Sequence, residues 1–418
     1  MKNTPAKSYL VFTLVSLFLF YEMGVQVSPS VMAAELMSAF HINAMGLGLM
    51  SAFYFYSYTG MQIPAGMLLD RFGVRHIVAT ALLVCAVGAA LFGMTHSMAW
   101  GSIARVLMGF GSAFAFVSVL AVADRWFDRK YFAMLAGLAQ FFAALGAMGG
   151  EIPVAYAVDA WGWRETMTGL AVLSVVLAAL VGAFVREPSQ QVAKDIQMCD
   201  SSVSRGLRLI LYNRQTWAIG LYAFLNWAPM SLFASLWGVP YLKTAYHLSN
   251  SMAASYVSLM WIGIGIASPL MGWWSDRWGK RNPLLHLTAL VGFLAATAIV
   301  YWELPLIVVG ILLFLMGAAC AGQVLSFAVV KDNANHQAKA TAIAVNNMAV
   351  VAAGIFFQPL VGFLMNYHSD VSRLTGQAVY TTFDYRFALL VLPVVYLLGL
   401  LVSLFSIKET HCHFINEN

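Results

Sequence analysis

Between Pro305 and Val330 the chain runs for 26 residues without one Asp, Glu, Lys or Arg. A helix rises about 1.5 Å per residue, so about 20 such residues cross the hydrocarbon of a bilayer. Lipid offers no water to backbone N–H and C=O groups, and a helix satisfies them within one segment. Eleven further stretches read the same way. Spans are expected near 9–37, 44–69, 77–95, 98–124, 131–157, 166–185, 216–242, 250–274, 284–302, 305–330, 338–366 and 385–407. Only 10% of the residues are charged, 61% are hydrophobic and the mean hydropathy is +0.76. A water-soluble domain carries roughly a quarter charged residues. The sequence therefore predicts an all-α membrane protein whose surface mostly faces lipid.

Segment 187–214 is the exception. Glu187, Pro188, Lys194, Asp195, Asp200, Arg205, Arg208 and Arg214 make it a polar linker. The expected organisation is an N-terminal six-helix bundle over 1–186, the linker 187–214, a C-terminal six-helix bundle over 215–407 and a tail over 408–418. Lys2 and Lys7 before an apolar run resemble a signal peptide. The run continues past Glu22 to about Met37, so it reads as a retained first span. Of the 23 Lys and Arg residues, 18 fall at the termini, in the linker or in the loops on that same side. Cationic loops stay on the cytoplasmic face, so both termini and the linker are expected there.

The four cysteines form no CxxC pair and read as free thiols. His411, Cys412 and His413 read as a disordered C-terminus rather than a metal site. No basic block suits nucleic acid, and no nucleotide loop, metal spacing or nucleophile constellation appears. We therefore expect no cofactor, no nucleic-acid partner and no enzymatic activity.

Two loops repeat. Gly66-Met67-Leu68-Leu69-Asp70-Arg71-Phe72-Gly73-Val74-Arg75 follows the second span, and Gly272-Trp273-Trp274-Ser275-Asp276-Arg277-Trp278-Gly279-Lys280-Arg281 follows the eighth. Both fit G-x-x-x-D-R-x-G-x-[KR], and all five shared positions are displaced by 206 residues, about half the chain. Gly66 and Gly272 would permit close helix contact. Asp70 and Asp276 would pair with a nearby Arg or face a helix N-terminus. Arg71, Gly73, Arg75, Arg277, Gly279 and Arg281 complete the two candidate gating loops.

This repeat resembles the signature loops of the major facilitator superfamily, and the likeness extends over the chain in span count and linker. It implies twelve helices in two pseudo-symmetric bundles and alternating access. Arg105-x-x-x-Gly109-x-Gly111 in the fourth span is similar to a second family motif, and Gly162-Trp163-Arg164 is also family-like. The fifth span reads Leu145-Gly146-Ala147-Met148-Gly149-Gly150-Glu151-Ile152-Pro153 and lacks the Gly-Pro pair of the antiporter pattern.

Ionisable residues inside a span cost at least ~2.5 kcal/mol and are functional candidates. Three stand out: Glu22 in the first span, Arg105 in the fourth and Glu151 in the fifth. The resemblance implies that the first and fourth spans line a central cavity, and that an acid on one beside an Arg on the other couples transport to protons. On that reading Glu22 pairs with Arg105 and takes a proton when substrate draws Arg105 away. A static ion pair that orders the N-terminal bundle is the competing reading.

Candidate substrate contacts follow helical spacing. Gln26 lies one turn from Glu22, and Tyr54, Tyr58 and Gln62 form a stripe on the second span. In the second half, Asn226 and Trp227 precede Pro229, where a broken helix can present backbone groups. Gln323, Asn346, Asn347 and Gln358 add amides, and Arg105 would hold a carboxylate. The expectation is secondary active uptake of a small zwitterionic or anionic solute: an amino acid, a short peptide or an organic acid. The expected partners are that solute, protons and the lipid bilayer, with the monomer as the working unit. A proton-driven exporter of drugs or of a metabolite such as a siderophore, or a nutrient sensor without transport, are the alternatives.

Overall fold

The computed structural model describes residues 5–128, 132–186, 212–334, 339–368 and 379–412. Every regular element among them is a helix. In the first half these are α1 (Pro5–Val27), a 3-10 turn (Ser28–Met32), α2 (Ala33–Phe40), α3 (Ala44–Phe72), α4 (Val74–Met94), α5 (Met98–Ser112), α6 (Ala115–Trp126), α7 (Phe132–Trp161) and α8 (Trp163–Phe184). The second half has α9 (Arg214–Pro229), a π-helical segment (Met230–Trp237), α10 (Gly238–Tyr246), α11 (Asn250–Trp278), α12 (Asn282–Tyr301), α13 (Leu306–Ala319), α14 (Ala321–Asn333), α15 (Lys339–His368), α16 (Thr382–Leu389) and α17 (Val391–Phe405).

Eleven helices or runs of joined helices are long and apolar enough to cross a membrane. The twelfth span is α3, 29 residues long. Its Tyr54, Tyr56, Ser57, Tyr58, Thr59 and Gln62 dilute an otherwise apolar helix. Each expected span coincides with one of the twelve to within about one helical turn. The protein is an all-α integral membrane protein.

The chain divides into two compact units: Met1–Phe40 with Met50–Cys199, and His41–Leu49 with Asp200–Asn418. In the first unit α1 packs closely on α7. A Cβ on Gly146 would strike the Phe20 carbonyl, and one on Gly150 would strike the Gly24 carbonyl. Small residues here let two backbones approach as they do between helices in lipid. Arg164 begins α8 and closes the end of α4: its Nη1 donates to the Gly93 carbonyl at 3.0 Å and to that of Thr95 at 2.6 Å. A cation on the last carbonyls of a helix complements its dipole.

In the second unit Pro229 ends α9 and the backbone widens into the π-helical turn. That turn is wholly buried, and side chains take two of its carbonyls. Ser235 Oγ donates to Met230 O at 2.9 Å, and Gln358 Nε2 donates to Ser231 O at 2.8 Å.

Candidate functional site: a buried acid, a phenol and a guanidinium

The site in the first unit starts from a missing N–H. In α1 the Val25 carbonyl would accept from the residue four positions on, and that residue is Pro29. Ser28 Oγ reaches the Val25 carbonyl at 3.0 Å. Arg105 on α5 also takes it, donating from Nη1 at 3.1 Å, and donates from Nη2 to the Gln26 carbonyl at 3.4 Å. The guanidinium therefore caps the end of α1 from a neighbouring helix.

Tyr54 on α3 lies between this cation and the acid. Its hydroxyl donates to Glu22 Oε1 at 2.7 Å. The Arg105 guanidinium carbon stands 4.6 Å from the Tyr54 ring centroid, within the range of a cation–π contact. Tyr58 stacks on Tyr54 with centroids 5.9 Å apart. Gly109 sets this geometry. Four residues on from Arg105, it lies on the same face of α5, and a Cβ there would collide with the Tyr54 carbonyl. The Arg-x-x-x-Gly spacing thus seats Tyr54 and positions the cation beside its ring. Gly111 turns the other way, against Ala81 and Cys85 of α4.

Glu22, Arg105, Tyr54 and Glu151 are essentially inaccessible, and Gln26, Tyr58 and Gln62 are buried. The direct Glu22–Arg105 pair expected from the sequence does not form. No ion pair joins Arg105 to a carboxylate among the described residues. Glu22 Oε2 and Arg105 Nε have no hydrogen-bond partner. The reason is local: Pro29 draws the guanidinium to the end of α1, and the phenol occupies the acid. Glu151 is buried on α7 beside Gly150, which abuts Gly24 of α1.

The second unit buries amides instead. Asn226 Oδ1 accepts from the Gln323 N–H at 2.9 Å, and Asn346 Nδ2 donates to Ser326 Oγ at 2.8 Å. Trp237 Nε1 donates to the Gln358 carbonyl at 3.1 Å. Trp227 meets Trp261 edge to face at 6.4 Å, and Asn347 is half-buried on α15. The other ends of three amides, Asn226 Nδ2, Asn346 Oδ1 and Gln358 Oε1, are buried without a partner.

The repeated loops share one backbone need. Gly73 and Gly279 have φ of 79° and 61°, a region L side chains avoid. The expected close contact at Gly66 and Gly272 is not found. Among the described residues, a Cβ at either would meet nothing within 4 Å. The Asp70 side chain lies outside the described residues. Arg71 is exposed over the Phe72 ring and Arg277 over that of Trp273, while Arg75 is half-buried. Arg281 bonds Asp276 at 2.8 Å, Asp332 at 3.3 Å and Ser275 Oγ at 3.0 Å.

The C-terminal tail, expected to be disordered, packs onto this loop as far as Cys412. Glu409 accepts from the N–H groups of Arg281 and Asn282 at 2.9 and 2.8 Å, at the start of α12. Thr410 Oγ1 donates to Asp332, and Asn282 Nδ2 donates to the Ile407 carbonyl. Burial pushes the Glu409 carboxyl up, but four backbone N–H donors outweigh it and hold the group below the ordinary carboxylate range. Tail residue His413 lies outside the described residues.

The chain is similar to known proteins. "Uncharacterized transporter YybO" of Bacillus subtilis is 22% identical over 284 residues, 64% of this chain and 65% of its own length. The chain thus spans just under two thirds of that relative. A "Hexuronate transporter" from the same bacterium is 23% identical over 351 residues, 78% of this chain and 80% of its own. Among solved structures, a D-xylose-proton symporter superposes with a TM-score of 0.77 at 17% identity, covering 99% of this chain and 100% of that one. The profile described as "Major Facilitator Superfamily" matches twice, over residues 14–238 and 219–411. With twelve spans, a signature loop in each half and a profile match in each half, this chain belongs to the major facilitator superfamily of transporters.

Proposed function

We propose that the protein is a proton-coupled importer of a small hydroxylated organic acid, of the kind a sugar acid represents. One observation carries the reading: Arg105 is a buried guanidinium with an unpartnered Nε and no carboxylate counter-ion among the described residues. A buried charge without a counter-ion is costly. An anionic substrate supplies the missing charge, and a carboxylate fits the planar guanidinium in two-bonded fashion. The relative named for hexuronate is consistent with such a substrate, and the D-xylose-proton symporter with proton coupling.

Glu22 is the proposed proton carrier, with Glu151 as a second buried acid. The transporter is placed in a bacterial cytoplasmic membrane as a monomer, with both termini and the linker 187–214 cytoplasmic between bundles 1–186 and 215–407. The repeated loops gate the cytoplasmic side. The test is uptake of radiolabelled D-glucuronate and a panel of aldaric acids, amino acids and neutral sugars into proteoliposomes, with and without an inward proton gradient. Acids accumulated only with the gradient support the reading. Accumulation of neutral sugars or amino acids, and of no acid, overturns it.

A further inference from the structure

Glu22 and Arg105 do not touch, yet one side chain touches both. We propose that Tyr54 is a positioning residue that passes the charge state of Glu22 to the Arg105 guanidinium, so that a proton on the acid frees the cation for an anionic substrate. This rests on the roles given above to Glu22 and Arg105.

The argument starts at the carboxylate. Oε1 accepts the Tyr54 hydroxyl at 2.7 Å, and Oε2 has no partner. Oε2 is therefore the oxygen that takes the proton. The new O–H bond forms there, the carboxylate becomes neutral, and the Tyr54 O–H stays intact. While Glu22 is ionised, the phenol donates a charge-assisted hydrogen bond, roughly twice as strong as a neutral one. That bond polarises the ring and makes its face more negative, which strengthens its hold on the cation 4.6 Å away. Protonation of Oε2 turns the bond into a neutral pair and relaxes that hold. Arg105 then keeps its two carbonyls at the end of α1 and is free to turn Nε and a guanidinium edge to an anion. By linkage, the bound anion favours the proton equally.

The other titratable groups around Glu22 cannot take this part. Tyr58 stacks on the Tyr54 ring, and Cys85 turns to the Met108 carbonyl and Ser112. Glu151 stands on α7, beside the Gly150 that abuts Gly24 of α1, and has no ion pair with Arg105. Tyr54 alone has one end on the acid and its face on the cation, and the Gly109 seat fixes its backbone in that place.

The experiment is infrared difference spectroscopy of the reconstituted protein between alkaline and acidic pH, which needs no substrate. A protonated-carboxyl band present in the wild type and absent in Glu22→Gln belongs to Glu22. In Tyr54→Phe, which keeps the ring and loses the hydroxyl, that band is expected to change frequency. Its midpoint should move up by about one pH unit, the loss of one hydrogen bond to a charged acceptor. The tyrosine ultraviolet difference signal should follow the same midpoint in the wild type and be lost in Tyr54→Phe. Gly109→Ala, which displaces Tyr54 without touching either charged side chain, should reproduce the shift. A band with unchanged frequency and midpoint in Tyr54→Phe overturns the role of Tyr54 and leaves Glu22 as proton carrier. So does a tyrosine signal that ignores the carboxyl titration. A wild-type spectrum identical to that of Glu22→Gln overturns the proton-carrier reading itself. A purely structural Tyr54 would lower the melting temperature at every pH and leave the band in place.

Discussion

The two halves carry the same signature loop and six spans each, yet they distribute charge in opposite ways. The first half buries Glu22, Arg105 and Glu151 within its spanning helices. The second buries amides there and gathers Arg281, Asp276, Asp332 and Glu409 at the loop end. The costs differ accordingly. A charge inside a span costs at least ~2.5 kcal/mol, whereas a buried amide with one end paired costs about 1–3 kcal/mol for the other end. The half that carries the larger cost is the half that holds the proposed proton carrier, Glu22. The amides instead hold a shape: Gln358 secures the π-helical turn after Pro229, and Asn226 ties α9 to α14.

The comparison can be broken by substitution. The largest effect is expected from Arg105→Ala, which removes the cap on the Val25 and Gln26 carbonyls and the anion handle together. Substrate binding and uptake should both fall below detection, with a lower melting temperature; near-normal uptake would remove the first half's claim to the site. Glu22→Gln should be next. It mimics the neutral acid, so accumulation driven by a proton gradient should vanish while gradient-free counterflow persists. Gradient-driven accumulation at the wild-type level would leave a static acid in its place.

In the second half, Asn346→Leu and Gln358→Leu should cost about 1–3 kcal/mol of stability each, since each strands a buried partner. The pH dependence of uptake should stay as in the wild type. A shifted pH profile in either would show that the division of labour is not by halves. The smallest effect belongs to Glu409→Gln. The folded-state carboxyl lies below its ordinary value, so its contribution is present above about pH 4.5 and is lost as pH falls through the lower, folded value. The variant should melt lower than the wild type at neutral pH, and the two should converge in acid. An equal gap at all pH would show that the tail acts through packing rather than through the Glu409 charge.

Much of the fold was legible beforehand because lipid imposes a one-dimensional rule. A run of apolar residues of the right length must be a helix, and the loops between runs must carry the polar groups. Even so, α3 was the least apolar span, and its Tyr54 hydroxyl is the one that reaches Glu22. The candidate site was legible only as a set of residue types. Glu22 and Arg105 were identified by cost and by family resemblance, and the simplest pairing, with each other, was not the one made. Gly66 and Gly272 were assigned a close contact on spacing, and the space around both is open. His411, Cys412 and His413 were read as a disordered C-terminus, but the N–H groups at the start of α12 give Glu409 a place to bind, and the tail packs as far as Cys412.

By itself the sequence determined the twelve spans, the repeated loops with glycine at the left-handed position, and the few ionisable groups that lie in lipid depth. Each of these depends on neighbours in sequence or on the solvent around a segment. The tertiary structure alone decided which partner each group takes. Tyr54 lies 32 positions from Glu22, and Arg105 lies 80 from Val25. What joins them is the lost N–H of Pro29 and the bare backbone of Gly109, two absences whose effect appears only when another helix is packed against them.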